Sequence, residues 1–394
     1  MWYNGRVNLQ TSSVHVGLSA HLLSTRPSYR SAGINRYIQQ LLCALPQAAP
    51  TWRLTAFIGD SCFVPPSGLK VRCSRWPTAN PWVRIVWEQA VQPWAAWRER
   101  LDLLHALAYV APVVAACPTV VTVHDLSFVR YPRAFRPLNR LYLTYLTKRS
   151  VWRARRVLAD SCSTRDDLVR YWQVPAARIS VVLAAVEAEY HPLPAREVEE
   201  RRRRRQLPAR FVLYLGTLEP RKNVVAAVEA FARWAARSRD RETWLVIAGA
   251  RGWYYQQIFA RVEALGLADR VLFPGFVPAS ELPDWYRAAT LFIYPSLYEG
   301  FGLPPLEAMA CGTPVITSNT SSLPEVVGDA ALLVDPYDVE AIAEAMARLL
   351  ADAGLRQRLR EAGLARARLF SWERTARETV AAYRLALGQD AIDE

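Results

Sequence analysis

The feature that most constrains this chain is a rhythm that runs, breaks and resumes. Short apolar runs, "VHVGLS", "LTAFIG", "LDLLHAL", "TVVTVHD" and "RRVLADS", alternate with amphipathic, helix-length segments such as "GINRYIQQLLCAL". Strands separated by helices form a parallel sheet covered on both faces, because each crossover between parallel strands needs a helix's length of chain. The rhythm breaks over residues 189–210, "EYHPLPAREVEERRRRRQLPAR", where charge and proline replace apolar periodicity, and the arginine run reads as a solvated helix face. It resumes with "FVLYLGTLEPRKN", "TWLVIAGARGW", "RVLFPGFV", "TLFIYPSLYEG", "TPVITSN" and "AALLVDP". The chain is therefore expected to be α/β, with two Rossmann-like domains, residues 1–190 and 191–370, facing across a cleft. A length of 394 residues gives each its own core. Ligands are expected at the carboxyl ends of the strands.

The formal charge of +13 is nearly all arginine, since Lys70, Lys148 and Lys222 are the only lysines. Such a chain attracts polyanions, phosphorylated ligands or an anionic membrane face. No zinc-ligand spacing, RNP-like aromatic motif or basic-region heptad accompanies the charge, so nucleic acid is not an expected partner. The six cysteines form no C-x-x-C pair, and the start "MWYNGRVNLQTSS" lacks a secretory apolar core, which together predict a reduced cytosolic setting. The uncharged stretch 106–123, "ALAYVAPVVAACPTVVTV", is short and broken by Pro112 and Pro118. It reads as two buried strands joined by a loop rather than a membrane span.

Four local patterns carry chemistry. In "YPSLYEGFGLPPLEAMACG", residues 294–312, a strand is followed by a glycine loop and a helix that starts near Pro304 and Pro305 and closes at Gly312. Gly300 and Gly302 let a phosphate approach backbone N–H groups at the helix N-terminus, with Glu299 before that site and Glu307 one turn behind it. The plainer reading makes Glu307 a capping residue and Glu299 a turn residue. In "YLGTLEPRKN" Arg221 and Lys222 open a helix at a strand end, which suits a diphosphate or, more simply, places two exposed cations in a turn. "TVVTVHDLSF" delivers His124 and Asp125 to the end of the first sheet, where the histidine is either functional or structural. In "SAGINRYIQQLL" Gly33 opens a helix toward the same cleft or is an ordinary loop glycine.

Together these residues resemble the group 1 glycosyltransferases of family 4, which have the GT-B fold, from "VGLSAHLL" to "FSWERTARETVAAYRLAL". The most specific match is the pair Glu299 and Glu307 inside "YPSLYEGFGLPPLEAMACGTPVI". The resemblance implies that Glu299 addresses the donor sugar and Glu307 the nucleotide ribose. It also implies that Gly300, Phe301, Gly302 and Leu303 form the donor loop, Gly302 and Leu303 offering N–H groups to the phosphates. By the same resemblance Lys222 is expected to grip the diphosphate, His124 to close on the sugar beside Asp125, and Gly33 to lie near the β-phosphate. The segment 371–394 is expected to be a helix returning to the N-terminal domain. "GTLEPRKN", "HDLSF" and "SSLPEVVGDAALLVDP" look most like bacterial mannosyl- and related transferases of surface polysaccharide synthesis.

Two positions depart from that pattern. Thr217 stands where members often carry arginine, with Arg221 as the possible substitute, and "LAAVE" at 183–187 replaces an Asn-Gly. The expected activity is retaining hexosyl transfer from a nucleotide diphosphate sugar, GDP-mannose first, to a glycan or lipid-linked acceptor. No resident cofactor is implied, and with no D-x-D motif a metal is not needed. Peripheral contact of residues 130–156 with an anionic membrane face is expected. A glycosidase using the two glutamates, and a non-catalytic sugar-nucleotide binder on the same scaffold, remain as alternatives.

Overall fold

The computed structural model describes residues 13–25, 33–132 and 135–389. The start of the chain, residues 31 and 32 of the "SAGINRY" run, residues 133 and 134 of the 130–156 segment and the last five residues lie outside these.

Seven strands form the first sheet: β1 (His15–Ser19), β2 (Arg53–Ile58), β3 (Leu69–Cys73), β4 (Leu103–Ala106), β5 (Thr119–Val123), β6 (Arg156–Ala159) and β7 (Ile179–Val181). Their order is β3-β2-β1-β4-β5-β6-β7 and every pairing is parallel. Six form the second: β8 (Phe211–Leu215), β9 (Trp244–Ala248), β10 (Val271–Gly275), β11 (Leu291–Tyr294), β12 (Val315–Ser318) and β13 (Leu332–Val334). They run β10-β9-β8-β11-β12-β13, again all parallel. Both sheets reverse strand order once, between β1 and β4 and between β8 and β11, and the crevice at such a reversal is where a doubly wound sheet receives ligands. The central strands are fully buried, as parallel strands covered on both faces must be.

Two expectations need correction, and two strands had not been anticipated. In the 106–123 stretch only Ala106 lies in β4, and residues 107–118 form a loop before β5. Proline lacks the N–H a ladder needs, and side chains hold this loop instead. Ser150 Oγ bonds the backbone of Ala111, and Gln89 Oε1 accepts from Val113 N (2.9 Å). The arginine run lies on the helix Ala195–Arg204 and just beyond it, but is not purely solvated: Arg201 and Arg205 reach Asp284 at 3.1 and 2.8 Å, fastening the linker helix to the C-terminal domain. Strands β3 and β7, not among the runs named above, extend one side of the first sheet and close the other.

The helix Trp372–Ala386 leaves the C-terminal domain and packs on the helix Ile34–Ala48, and its Tyr383 hydroxyl meets His105 Nδ1 at 2.6 Å. Among the described residues no helix is long and apolar enough to cross a membrane.

Candidate functional site

The C-terminal wall is built where β8 and β11 end. The turn Pro220–Lys222 follows β8 and aims both cations at the loop after β11. Lys222 Nζ donates to Glu299 Oε1 (2.6 Å) and to the Tyr294 hydroxyl (2.7 Å). Ser296 Oγ donates to the same carboxylate oxygen at 2.6 Å, and Tyr294 OH at 3.0 Å. Arg221 Nη1 donates to the Tyr298 carbonyl (2.6 Å) and at 3.3 Å to Glu299 Oε2, while its Nη2 reaches Glu219 at 2.9 Å. Burial alone would raise the Glu299 carboxyl, but the charges of Lys222 and Arg221 outweigh it and hold the group down to about 2. Burial and the Arg221 charge lower the Lys222 ammonium against the pull of Glu299. The two cations thus favour the ionised form of Glu299, which argues against its use as the protonated acid of a glycosidase.

Two glycines in the loop are required by geometry. A Cβ on Gly300 would lie 1.9 Å from the His124 carbonyl oxygen, so this residue is where the C-terminal loop touches the N-terminal domain. Gly302 has φ 120°, outside the range of L side chains, and caps the helix Leu303–Ala310 that carries Glu307. Phe301 is buried between them, its ring 5.9 Å from that of Phe370.

The facing wall comes from the first sheet. His124, at the end of β5, meets Asp160 Oδ2 through Nδ1 (2.6 Å) and the Leu107 carbonyl through Nε2 (3.0 Å). Burial would lower its pKa, but the Asp160 charge and hydrogen bond raise it above the ordinary value. Asp125 Oδ1 accepts from the backbone N (2.9 Å) and hydroxyl (2.7 Å) of Ser127, fixing the turn. Gly33 caps the helix Ile34–Ala48. The structure places all eleven residues singled out above, from Gly33 to Glu307, around one cavity of about 360 Å³ between the sheets.

Sequence reasoning missed the group that ties Glu307 down. Arg36, on the helix opened by Gly33, donates through Nε to Glu187 Oε1 (2.7 Å), pairs with the other Glu187 oxygen, and ion-pairs through Nη1 with Glu307 Oε1. Its guanidinium lies 5.2 Å from the Tyr190 ring centroid, and Tyr286 OH donates to Glu307 Oε2 at 2.7 Å. One arginine therefore joins the N-terminal helix, the interdomain segment and the C-terminal domain. A signal existed: a cation in the first turn of a helix opposes the helix dipole and needs a compensating partner. Asp160 and Tyr37, which also line the cavity, were likewise not singled out.

Comparison with known proteins bears on the family and the fold. Residues 196–366 match the family profile "Glycosyl transferases group 1" and residues 31–190 match "Glycosyltransferase Family 4". The chain is 39% identical over 268 residues to O-antigen chain mannosyltransferase B of Escherichia coli, covering 68% of this chain and 70% of that protein. It is 32% identical over 262 residues to a serotype-specific mannosyltransferase, WbdA, of Escherichia coli, covering 66% of this chain but only 32% of that longer protein. Among solved structures, a sucrose-phosphate synthase from Thermosynechococcus elongatus superposes with a TM-score of 0.75 at 26% identity, over 94% of this chain and 98% of its own.

Proposed function

The chain belongs to the group 1 glycosyltransferases of family 4, with the GT-B fold, and from that premise we propose that it moves a hexosyl group, mannosyl first, from a nucleotide diphosphate sugar to a glycan or lipid-linked acceptor with retention of configuration. The observation that carries this reading is the ionised Glu299 gripped by Lys222 and Arg221 at the mouth of two parallel strands. A hydrolase has no diphosphate to hold, whereas a transferase must neutralise one as it leaves. In the proposed step the acceptor oxygen bonds to the anomeric carbon on the face from which the phosphate departs, and a phosphate oxygen takes the acceptor's proton. Lys222 stabilises the growing diphosphate charge, and Gly302 and Leu303 N–H groups add to it. Glu299 holds the sugar and Glu307 the ribose. A side cavity of about 90 Å³ beyond Gly216 and Thr217, walled by Gly249, Ala250, Phe276 and Val277, accommodates the base. The protein's own cations serve where a metal would otherwise be needed.

A thermal-shift screen across GDP-, UDP-, ADP- and dTDP-sugars, followed by turnover of the best binder, tests the reading. GDP-mannose is expected to raise the melting temperature most and to be turned over. Binding of every nucleotide sugar without release of nucleotide diphosphate in the presence of an acceptor would favour a non-catalytic binder.

We also propose that residues 130–156 dock on an anionic bilayer face. On the helix Pro137–Arg153, Leu138, Leu141, Tyr145 and Trp152 are exposed at helical spacing, with Lys148, Arg149 and Arg153 beside them and no acid on the helix. Trp82, Trp94 and Trp97 on the adjoining run are also exposed, and Glu88, the one carboxylate between them, is buried, which pushes it up to about 7. Tryptophan with arginine around an apolar stripe is the composition of an interfacial anchor. Co-sedimentation is expected with anionic vesicles at low salt, and equal recovery with neutral vesicles would sink the idea.

A further inference from the structure

After β9 the chain continues "GARGWYY" before the helix Gln256–Ala264. Gly252 N donates to the Leu218 carbonyl at 3.1 Å, and a Cβ at this glycine would lie 2.7 Å from that oxygen. The loop is thus pressed against the segment that leads into the Pro220–Lys222 turn. Tyr254 then takes φ 61°, a left-handed conformation that bulky residues avoid unless their surroundings impose it. The effect is to display aromatic rings rather than bury them: Trp253 is 38% exposed and Tyr254 61%.

Opposite them stand residues of the N-terminal domain. Tyr131, Pro132, Pro220, Trp253, Tyr254 and Leu297 wall a cavity of about 400 Å³, completed by Arg130 and Arg221. The Arg130 guanidinium lies 5.1 Å from the Tyr298 ring centroid, its closest carboxylate is Asp167 at 3.9 Å, and it forms no hydrogen bond with another described residue. Arg221 lines both this cavity and the one between the sheets.

We propose that this second cavity is a subsite for a pyranose unit of the acceptor. A pyranose ring presents C–H groups on its faces and hydroxyls around its edge. Aromatic and proline walls match the first, and the Arg130 guanidinium and tyrosine hydroxyls match the second. The proposal rests on the transferase reading, because Arg221 bonds Glu299 at 3.3 Å and so puts a saccharide here one side chain from the carboxylate assigned to the donor sugar.

The test pairs kinetics with a binding readout that needs no turnover. In saturation-transfer NMR with mannotriose, wild-type protein is expected to give a signal that falls at least fivefold in Trp253→Ala and is largely kept in Trp253→Phe. The KM for a saccharide acceptor is expected to rise at least tenfold in Trp253→Ala, while the donor KM and the melting-temperature shift with GDP-mannose stay within twofold. Loss of a partly exposed loop side chain should leave the fold intact, which circular dichroism checks, and Tyr254→Ala supplies a second variant. No mannotriose signal from wild type, or an undiminished one from Trp253→Ala, overturns the subsite. A signal that depends on Trp253 in a protein that turns over no nucleotide sugar would instead sink the transferase mechanism and leave the subsite standing.

Discussion

Glu299 and Glu307 stand on either side of one short glycine loop, yet they are held in different ways. Glu299 is satisfied within its own domain, by a turn after β8 and by Ser296 and Tyr294 beside it. Glu307 is satisfied partly from across the cleft, by an arginine of the N-terminal helix. The first arrangement is therefore complete whether the domains are together or apart. The second exists only when they meet, so the ribose site proposed at Glu307 doubles as a contact between the domains.

The largest expected effect separates the cations at Glu299. Lys222→Ala should cut kcat by roughly a hundredfold or more, the scale for removing one preorganised transition-state donor, with less change in donor affinity. Arg221→Ala should cost about tenfold, since its contact with Glu299 is longer and its shorter bond props the Tyr298 carbonyl. Steady-state kinetics on both, with circular dichroism as the check on folding, decide. Near-normal turnover in Lys222→Ala would mean that the diphosphate is held elsewhere.

The next variant attacks the other side of the comparison. Arg36→Ala leaves Glu187 and Glu307 buried without their common partner, a loss on the order of 3–5 kcal/mol when a buried pair is broken. The melting temperature should fall by several degrees and the donor KM should rise about tenfold. Arg36→Lys should not restore either, because an ammonium cannot reproduce the fork that serves two carboxylates. If Arg36→Ala behaves as wild type in both measurements, the interdomain pair does no work in solution.

A smaller effect is expected from pH. The folded-state value of Glu299 lies at about 2, below its ordinary 4.5, so its contribution to stability is fully present above about 4.5 and fades as pH falls toward 2. The gap between the urea midpoints of wild type and Glu299→Gln should narrow from pH 6 to pH 3.5 and close only as pH approaches about 2. Parallel curves would show that the carboxylate is not held as described. The smallest expected effect is none at all: chelation with EDTA should leave transfer intact, and activity lost in EDTA and restored by Mn²⁺ would refute the cation-only site.

The same contrast explains what was legible. Glu299, Lys222 and the glycines lie in strand-end loops, where local punctuation by glycine, proline and charge marks function directly. Arg36 and Glu307 are 271 positions apart, and nothing local names that partnership. Ala184 and Ala185 are buried, the first of them against the cavity, while Glu187 two residues on does the pairing. Strand β3 escaped notice because its outer residues are exposed and polar, and the 107–118 loop because burial by side-chain hydrogen bonds leaves the same apolar composition as a strand.

The chain passes between the two domains twice, once after β7 and again on entering the helix Trp372–Ala386, and Thr375 Oγ1 of that helix donates to the Leu183 carbonyl at 2.7 Å. A single tether would leave the halves free to twist and slide. Two tethers stapled side by side act as a pivot pin, removing those freedoms and leaving rotation about one axis as the softest motion. Any opening of the halves would then be confined to the arc the two crossings allow, with Gly300, His124, Arg36 and Glu307 at its closing edge.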